Sequence, residues 1–455
     1  MNVKVIARTV EDINSTGEDI KKDALIISGK AAGICYMPDN YLSEGMQNET
    51  KATTRAKFNA KSGHYSVYEH MHVSFILEIP KILAMILNST RLYNTSEKSA
   101  RYTMMHPDTD LENTIYQKWI GIFTDRLKNK YEGYISDKEI EKLAIENARY
   151  LISVFTMTTM EFTVPYSRAI LLCEWLDKFA SNLFKLYIAL ITGASPIQHN
   201  RLSKNFELIG KIVPACNELA SKIREAIGIT KEDPILVDHK NMGIELFADV
   251  FALGKDEEGF SDLFQQNHSS IRLMTKKNYY GDVYVDTYSA SFAELAQAQR
   301  HRTINYSVQS FIDMPSINCY IPNLIKNDSI LNEEWKNDFE SLIDNGILPQ
   351  GTLLTITEEG RFEDFILKCK ERCCCRAQEE IRHITTKQLL RYKYYNENTY
   401  ENFMSILSDV NRHILNNIIF KNYKKDNYIT RCMFGDYTCK EVCPFLVIDR
   451  KYNKH

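Results

Sequence analysis

The stretch DTYSASFAELAQAQRHRTINYSVQSFID, residues 286–313, decides the fold, because it can be laid over FILEIPKILAMILNSTRLYNTSEKSARY, residues 75–102. Each stretch is an extended piece followed by an amphipathic helix and a polar segment. The offset is 211 residues, nearly half of the 455-residue chain. Four identities alone are weak evidence for a duplication, so other residues must support it. The identical pairs are Arg91 with Arg302, Asn94 with Asn305, Ser96 with Ser307, and Ser99 with Ser310.

Composition predicts a soluble, helix-rich chain of two or three domains. The chain is too long for one ordinary core. Its 18 Gly and 11 Pro are about half the usual share, which favours long helices over a many-stranded sandwich. A net charge of −3 gives no support for a nucleic-acid partner. No signal peptide or membrane-length apolar run is visible, so we expect a cytoplasmic protein without a membrane partner.

Periodicity alternates between helix and strand and predicts an α+β fold. The stretches 72–79 and 282–289 have strand composition. The polar stretch 228–241 is the expected joint, which gives one domain over 1–230 and a second over 231–455. Predicted helices cover Ile82–Asn88, Leu171–Leu190, Phe292–Arg302 and Glu363–Leu390.

The stretch SGHYSVYEHMH, residues 62–72, is the first candidate site. Its histidines His64, His70 and His72 could bind a metal ion, but their spacing is not usual for ligands. The favoured alternative is a helix start, in which Ser66 and Glu69 form a capping box.

A second candidate is TSEKSARY, residues 95–102. In an extended segment Glu97, Ser99 and Arg101 would project from one face. A guanidinium beside a hydroxyl and a carboxylate suits a phosphorylated ligand with free hydroxyls. The alternative is a solvated loop with an internal Glu–Arg pair, and it is favoured on these residues alone.

Two further segments carry polar side chains at helical spacing. In QAQRHR, residues 297–302, Gln297 and Arg300 would be neighbours on a helix, and the three successive cationic or polar residues at the helix end could bind a diphosphate. In KERCCCRAQEEIRHI, residues 370–384, Arg382 lies one turn beyond Gln378 and could stabilise negative charge on a nucleobase. Solvated helix faces with surface ion pairs are the alternatives.

Together the four segments resemble the flavin-dependent thymidylate synthases. That family carries G-H-x-S-x-x-E-H, then R-H-R-x-x-S-x-N-E-x-S-x-R-Y, an L-P segment and R-x-x-x-x-A-Q-x-E-I-R. The chain has the first motif at 63–70, Leu348-Pro349, and Arg372 followed by the last motif at 377–382. The central signature occurs twice and is half eroded each time: residues 89–102 keep its end, and residues 300–313 keep its Arg-His-Arg start.

The resemblance implies two tandem, related, helix-rich α/β domains of that family's fold. Family active sites lie between the subunits of a homotetramer. The two halves have lost complementary parts of the motifs, so we expect a homodimer that forms a pseudo-tetramer and a hybrid site that neither half completes alone.

The resemblance also implies the chemistry. FAD, reduced by NADPH, would supply a hydride, and methylenetetrahydrofolate would supply the carbon that converts dUMP to dTMP. The implied catalytic residues are Arg382, Ser99 and His64. The implied cofactor-binding residues are His64, Ser66, Glu69, Glu97, Arg300, His301, Arg302 and Arg372. The implied substrate-binding residues are Gln297, Arg300, Glu97, Ser99, Arg101, Tyr102 and Arg382.

The chain departs from the family pattern at several positions. The Asn and first Ser of the signature are Ser96 and Asn94, and Lys370 stands where an Asn often occurs. An expected substrate-phosphate Arg near the Leu-Pro segment has no obvious match. These changes leave two alternatives open: methylation or hydroxymethylation of another pyrimidine nucleotide, and flavin or nucleotide binding without turnover.

The late cysteines remain outside these motifs. Four thiolates at Cys374, Cys432, Cys439 and Cys443 could bind Zn²⁺, but their spacing is not that of a usual zinc site. Buried free thiols are the favoured interpretation, and no firm metal site is predicted.

Overall fold

The computed structural model describes residues 1–10, 20–34, 48–62, 64–89, 94–131, 133–193, 196–231, 279–308, 317–374 and 376–396. The chain divides into two compact units. The first contains Met1–Lys98 and Phe155–Ser270, and the second contains Ser99–Val154 and Ile271–His455. The boundaries predicted from sequence, 1–230 and 231–455, describe the linear order of the halves and remain a prediction, whereas the compact units are discontinuous in sequence.

The first unit is built on a four-stranded antiparallel sheet in the order β1-β2-β4-β3. Side chains of β2 alternate, with Val73, Phe75 and Leu77 fully buried. The strands are β1 (Asn2–Arg8), β2 (His72–Pro80), β3 (Asn94–Glu97) and β4 (Met157–Pro165). The helices of this unit are α1 (Ile20–Ile34), α2 (Glu49–Lys61), α3 (Lys81–Ser89), α6 (Tyr166–Gly193) and α7 (Pro196–Ile227).

The second unit has a sheet of the same kind, in the order β5-β6-β8-β7. Its strands are β5 (Tyr279–Tyr280), β6 (Val283–Ser291), β7 (Asn305–Val308) and β8 (Leu353–Arg361). Its helices are α4 (Asp110–Tyr131), α5 (Asp137–Ala148), α8 (Phe292–Ala298), α9 (Asn323–Lys326), α10 (Ser329–Asp344), α11 (Phe362–Arg372) and α12 (Glu379–Tyr395).

The two sheets confirm the tandem relationship. Strands β2 and β6 each have nine residues, begin 211 positions apart and run directly into a helix. Strands β3 and β7 keep the same offset, which is the one predicted from sequence. Strands β4 and β8 pair with β2 and β6 over nine residues in matching register, at an offset of 196. The fold is α+β with two related domains.

The second unit contains part of the first half of the sequence. Helices α4 and α5 pack into one apolar core with α10, where Trp119 and Trp335 meet edge to face at 4.8 Å. Ser153 and Pro349, which occupy equivalent positions in the two halves, pair across a β-bridge. The amide of Gln350 donates to the carbonyl oxygen of Ile152 at 2.8 Å. Residues of both halves therefore build this unit together.

Two predicted helices end earlier than expected. The helix that begins at Phe292 stops at Ala298 rather than Arg302, because the chain must reverse before β7 pairs with β8. The stretch Glu363–Leu390 is broken after Arg372 and resumes at Glu379. Both breaks leave polar backbone groups and side chains outside the helices, in the same part of the second unit.

Candidate active site

Helix α8 positions the first candidate residue, Gln297. Ser291 caps the helix, since its Oγ accepts from the amide of Glu294 at 3.1 Å. The cap is held by Glu380 of α12, which accepts from the Ser291 amide at 2.8 Å and from its Oγ at 2.6 Å. The Glu of the A-Q-x-E-I-R motif thus fixes the helix that carries Gln297.

Gln378 is the centre of a buried hydrogen-bond group. Its Oε1 accepts from Gln297 Nε2 and from Arg149 Nη2, and its Nε2 donates to the Tyr150 hydroxyl. Arg149 is 5% exposed and Gln378 is 1% exposed. The group joins first-half residues, Arg149 and Tyr150, to second-half residues within one unit.

Arg101 contacts this region through the backbone segment between α11 and α12. Its Nε donates to Glu146 Oε2 at 2.5 Å, and its Nη2 donates to the carbonyl oxygen of Arg376 at 2.6 Å. Tyr102 is half exposed, and its ring lies 5.0 Å from the Arg101 guanidinium carbon. Arg101 is thus held beside the segment that presents Gln378.

Arg372 and His301 form a second contact to Gln297. Arg372 Nε donates to His301 Nε2 at 2.9 Å, and its Nη2 donates to the carbonyl oxygen of Gln297 at 3.3 Å. Burial, then Arg372 and Lys368, lower the pKa of His301 to about 2. His301 is therefore a neutral acceptor through Nε2, which places its proton on Nδ1.

Several guanidinium groups lie in this region, one of which, Arg101, is paired with Glu146. Burial lowers the pKa of the Arg149 guanidinium, and Arg101 lowers it further. The pKa of Arg372 is likewise lowered by burial and then by Arg101 and Arg300. Guanidinium groups that repel one another in a partly buried site are stabilised by an anion, and a phosphate fits their fork geometry.

The remaining candidates of the second unit lie near these residues in sequence. Ser99 is half-buried, and its Oγ accepts from the Arg101 amide at 3.3 Å. Arg300 and Arg302 are exposed in the turn after α8. Arg382 is 9% exposed and lies in the first turn of α12, where its amide donates to the Gln378 carbonyl oxygen at 3.1 Å.

The first unit holds the other candidates, His64, Ser66, Glu69 and Glu97. Glu97 pairs with Lys81, and its second oxygen accepts from Asn88 Nδ2 at 3.2 Å. Glu69 accepts from Arg168 Nε at 2.8 Å. His64 and Ser66 are exposed. These four candidates belong to the first unit, whereas the arginine-rich group belongs to the second.

Three local predictions are wrong. Ser66 does not cap a helix, since Tyr65–Glu69 is a short 3₁₀ turn without a side-chain cap and Glu69 binds Arg168 instead. Glu97, Ser99 and Arg101 do not share an extended face, because β3 ends at Glu97 and a turn that begins at Ala100 includes Arg101. The internal Glu–Arg pair is absent as well, since Lys81 neutralises Glu97 and Glu146 neutralises Arg101.

Sequence reasoning missed Arg149. The offset of 196 that relates β4 to β8 places Arg149 opposite Asn345, three residues before Leu348. The second half has no arginine at this position, and the first-half residue Arg149 donates to Gln378 instead. The offset of 196 residues between the halves, 15 shorter than the offset of 211, is the signal that could have revealed Arg149.

No metal centre is found within the described ranges, where no three His, Cys, Asp or Glu side chains are arranged to bind an ion. Of the weak zinc candidates only Cys374 is described, while Cys432, Cys439 and Cys443 lie outside the described residues. None of the described helices is long and apolar enough to cross a membrane.

Comparisons with known proteins identify the family to which this chain belongs. The family model of the thymidylate synthase complementing proteins matches residues 19–174 and 280–393. No curated protein matches the chain in sequence. Among solved structures, Thymidylate Synthase X (ThyX) from Helicobacter pylori with FAD and dUMP is 15% identical, with 52% of this chain and 97% of that chain covered and a TM-score of 0.28.

A second solved structure is the UMP/dUMP methylase PolB from Streptomyces cacaoi bound with 5-Br dUMP. It is 14% identical, with 38% of this chain and 76% of that chain covered and a TM-score of 0.27. The two segments that match the family model cover more than half of the chain, which therefore belongs to the family of thymidylate synthase complementing proteins.

Proposed function

We propose that the chain is an FAD-dependent enzyme that methylates dUMP to dTMP, with methylenetetrahydrofolate as carbon donor and NADPH as reductant. The observation that carries the proposal is the arginine-rich group around Gln297 and Gln378 in the second unit. Both halves of the sequence contribute to it, as a hybrid site requires. Family membership supplies the class of reaction.

The buried polar atoms of this group suit a nucleotide. Gln297 Oε1 and Arg149 Nε are buried and have no hydrogen-bond partner among the described residues. An acceptor and a donor left open in this way complement the imide edge of a pyrimidine and a phosphate oxygen. We assign Arg149 and Arg101 to the phosphate and Gln297 to the base, with Ser99 and Tyr102 beside the ligand.

The remaining roles follow the family motifs. Arg382 stabilises negative charge on the pyrimidine ring so that its C5 carbon can attack the one-carbon donor. Bound FAD would supply the hydride that completes the methyl group. Arg300, His301, Arg302 and Arg372 suit an anionic cofactor, and His64, Ser66, Glu69 and Glu97 are proposed to hold it from a second chain in a homodimer that forms a pseudo-tetramer.

The test uses the purified full chain. We expect the absorption spectrum of bound FAD, and tritium release from [5-³H]dUMP that depends on methylenetetrahydrofolate and NADPH. The product mass separates methylation from hydroxymethylation, and UMP in place of dUMP tests another pyrimidine nucleotide. Flavin and dUMP binding without tritium release would leave a binding protein and refute the enzymatic proposal.

A further inference from the structure

Glu294 is a buried carboxyl group that the proposed chemistry does not use. It lies on α8, three residues and thus about one turn before Gln297. Its side chain is fully buried, and neither carboxyl oxygen has a hydrogen-bond partner among the described residues. An uncompensated buried carboxyl group is costly, so its retention needs a reason.

The charged neighbours of Glu294 are already engaged elsewhere. Lys368 Nζ donates to Glu358 Oε2 at 2.6 Å and to Gln388 Oε1 at 3.2 Å, and Glu380 holds Ser291. The titratable and charged groups that face Glu294 are Tyr288 on β6, Tyr306 on β7, Glu358 on β8, Lys368 and Arg372 on α11, and Glu380 on α12.

The first half of the chain provides an internal comparison. At the offsets of 211 and 196, Leu83 is the counterpart of Glu294, and it is fully buried. Five polar residues near it are also replaced by buried apolar residues: Tyr284 by Val73, Asp286 by Phe75, Tyr288 by Leu77, Glu358 by Phe162 and Lys368 by Leu172. Tyr306 is replaced by the smaller Thr95. The same fold is thus built without this network, which occurs where the arginine-rich site lies.

We propose that Glu294 is a positioning residue for the nucleotide site and acts through the Arg372 guanidinium, an inference that rests on the function proposed above. Arg372 holds both His301 Nε2 and the carbonyl oxygen of Gln297. These two bonds fix the turn of α8 that presents the Gln297 side chain.

The protonation state of Glu294 decides whether Arg372 keeps these bonds. Burial, and after it Glu380 and Glu358, raise the pKa of Glu294 to about 8, against the opposing effect of Lys368 and Arg372. At pH 7 the carboxyl group is neutral and leaves Arg372 in place. Above pH 8 the carboxylate attracts the guanidinium, because Lys368 is held by Glu358 and Gln388, and the support of Gln297 weakens.

The experiment measures the dissociation constant of dUMP by calorimetry at pH 7 and pH 9. A group that ionises near pH 8 and must be neutral for tight binding makes wild-type affinity fall about tenfold over this range. Glu294→Gln should keep the pH 7 affinity within about twofold and show no fall at pH 9. The matched control Glu363→Gln, an exposed carboxyl on α11, should behave as wild type.

Glu294→Leu, which copies Leu83, is the second variant and should also lack the fall between pH 7 and pH 9. The proposal is overturned when either Glu294 variant loses affinity at pH 9 as wild type does, or when wild type loses none. Binding of dUMP with this pH dependence but without methylation would refute the enzymatic function and support the role of Glu294. Failure of wild type to bind dUMP at either pH would overturn both.

Discussion

Ser291 and Glu380 are joined by two hydrogen bonds, from the amide and the hydroxyl of the serine to the two oxygens of the carboxylate. Ser291 is also the N-cap of α8, so one carboxylate on α12 supports the start of the helix that carries Gln297. The N-cap of α8 is thereby linked to the candidate site.

Glu380→Ala should destabilise the chain by about 2–3 kcal/mol, because it leaves the buried Ser291 amide without an acceptor. The affinity for dUMP should also fall, since α8 loses its anchor. Thermal unfolding and calorimetry measure the two effects. The neighbouring change Glu379→Ala is the control and should alter neither by much; an equal effect from both variants would contradict the role of Glu380.

Arg149→Met should weaken dUMP binding at least tenfold, because it removes a buried cation that donates to Gln378. Calorimetry of the full chain measures this change. Arg126→Met is the control, since Arg126 lies on α4 and pairs with Asp328 away from Gln378. Unchanged affinity in the Arg149 variant would remove it from the site.

Arg382→Ala should abolish tritium release from [5-³H]dUMP while FAD remains bound, because the residue is assigned to charge on the pyrimidine ring. Arg372→Ala should lower nucleotide affinity as well, since Arg372 supports Gln297 and His301 directly. Flavin absorbance, dUMP affinity and turnover are measured for both variants. Full turnover by the Arg382 variant would transfer the catalytic role elsewhere.

The sequence predicted the repeated strands and the helices that follow them. Periodicity is a local signal, and the offset of 211 residues is visible when the two stretches are aligned. The sequence did not predict that Ser99–Val154 belongs to the second unit, since that depends on packing between segments distant in sequence. Arg149 was missed for the same reason. The break between Arg372 and Glu379 was also missed, because helix formers continue on both sides of it.

Glu294 should make stability depend on pH. Its pKa is 4.5 in the unfolded chain and about 8 in the fold, so the unfolded state binds fewer protons between these values and stability falls as pH rises through them. The full effect is on the order of 5 kcal/mol. Glu294→Gln should reduce this slope in unfolding experiments from pH 5 to pH 8, and Glu363→Gln should not; equal slopes in the two variants would show that another group is responsible.

The fully buried pair Glu358 and Lys368 can be replaced by the apolar residues that occupy the equivalent positions in the first half. Burial alone would raise the pKa of Glu358, but Lys368 and the hydrogen bonds of Tyr284 and Gln388 outweigh it and lower the pKa. Lys368→Leu leaves a buried charge uncompensated and should cost about 3–5 kcal/mol.

Adding Glu358→Phe copies the first half, where Leu172 and Phe162 occupy these positions, and should recover part of that loss. A double-mutant cycle in denaturant measures the coupling between the two sites. Because the exchange removes a neighbour of Glu294, the double variant should also shift the pH at which dUMP affinity falls. Additive losses in the cycle would show that the two side chains do not act as a pair.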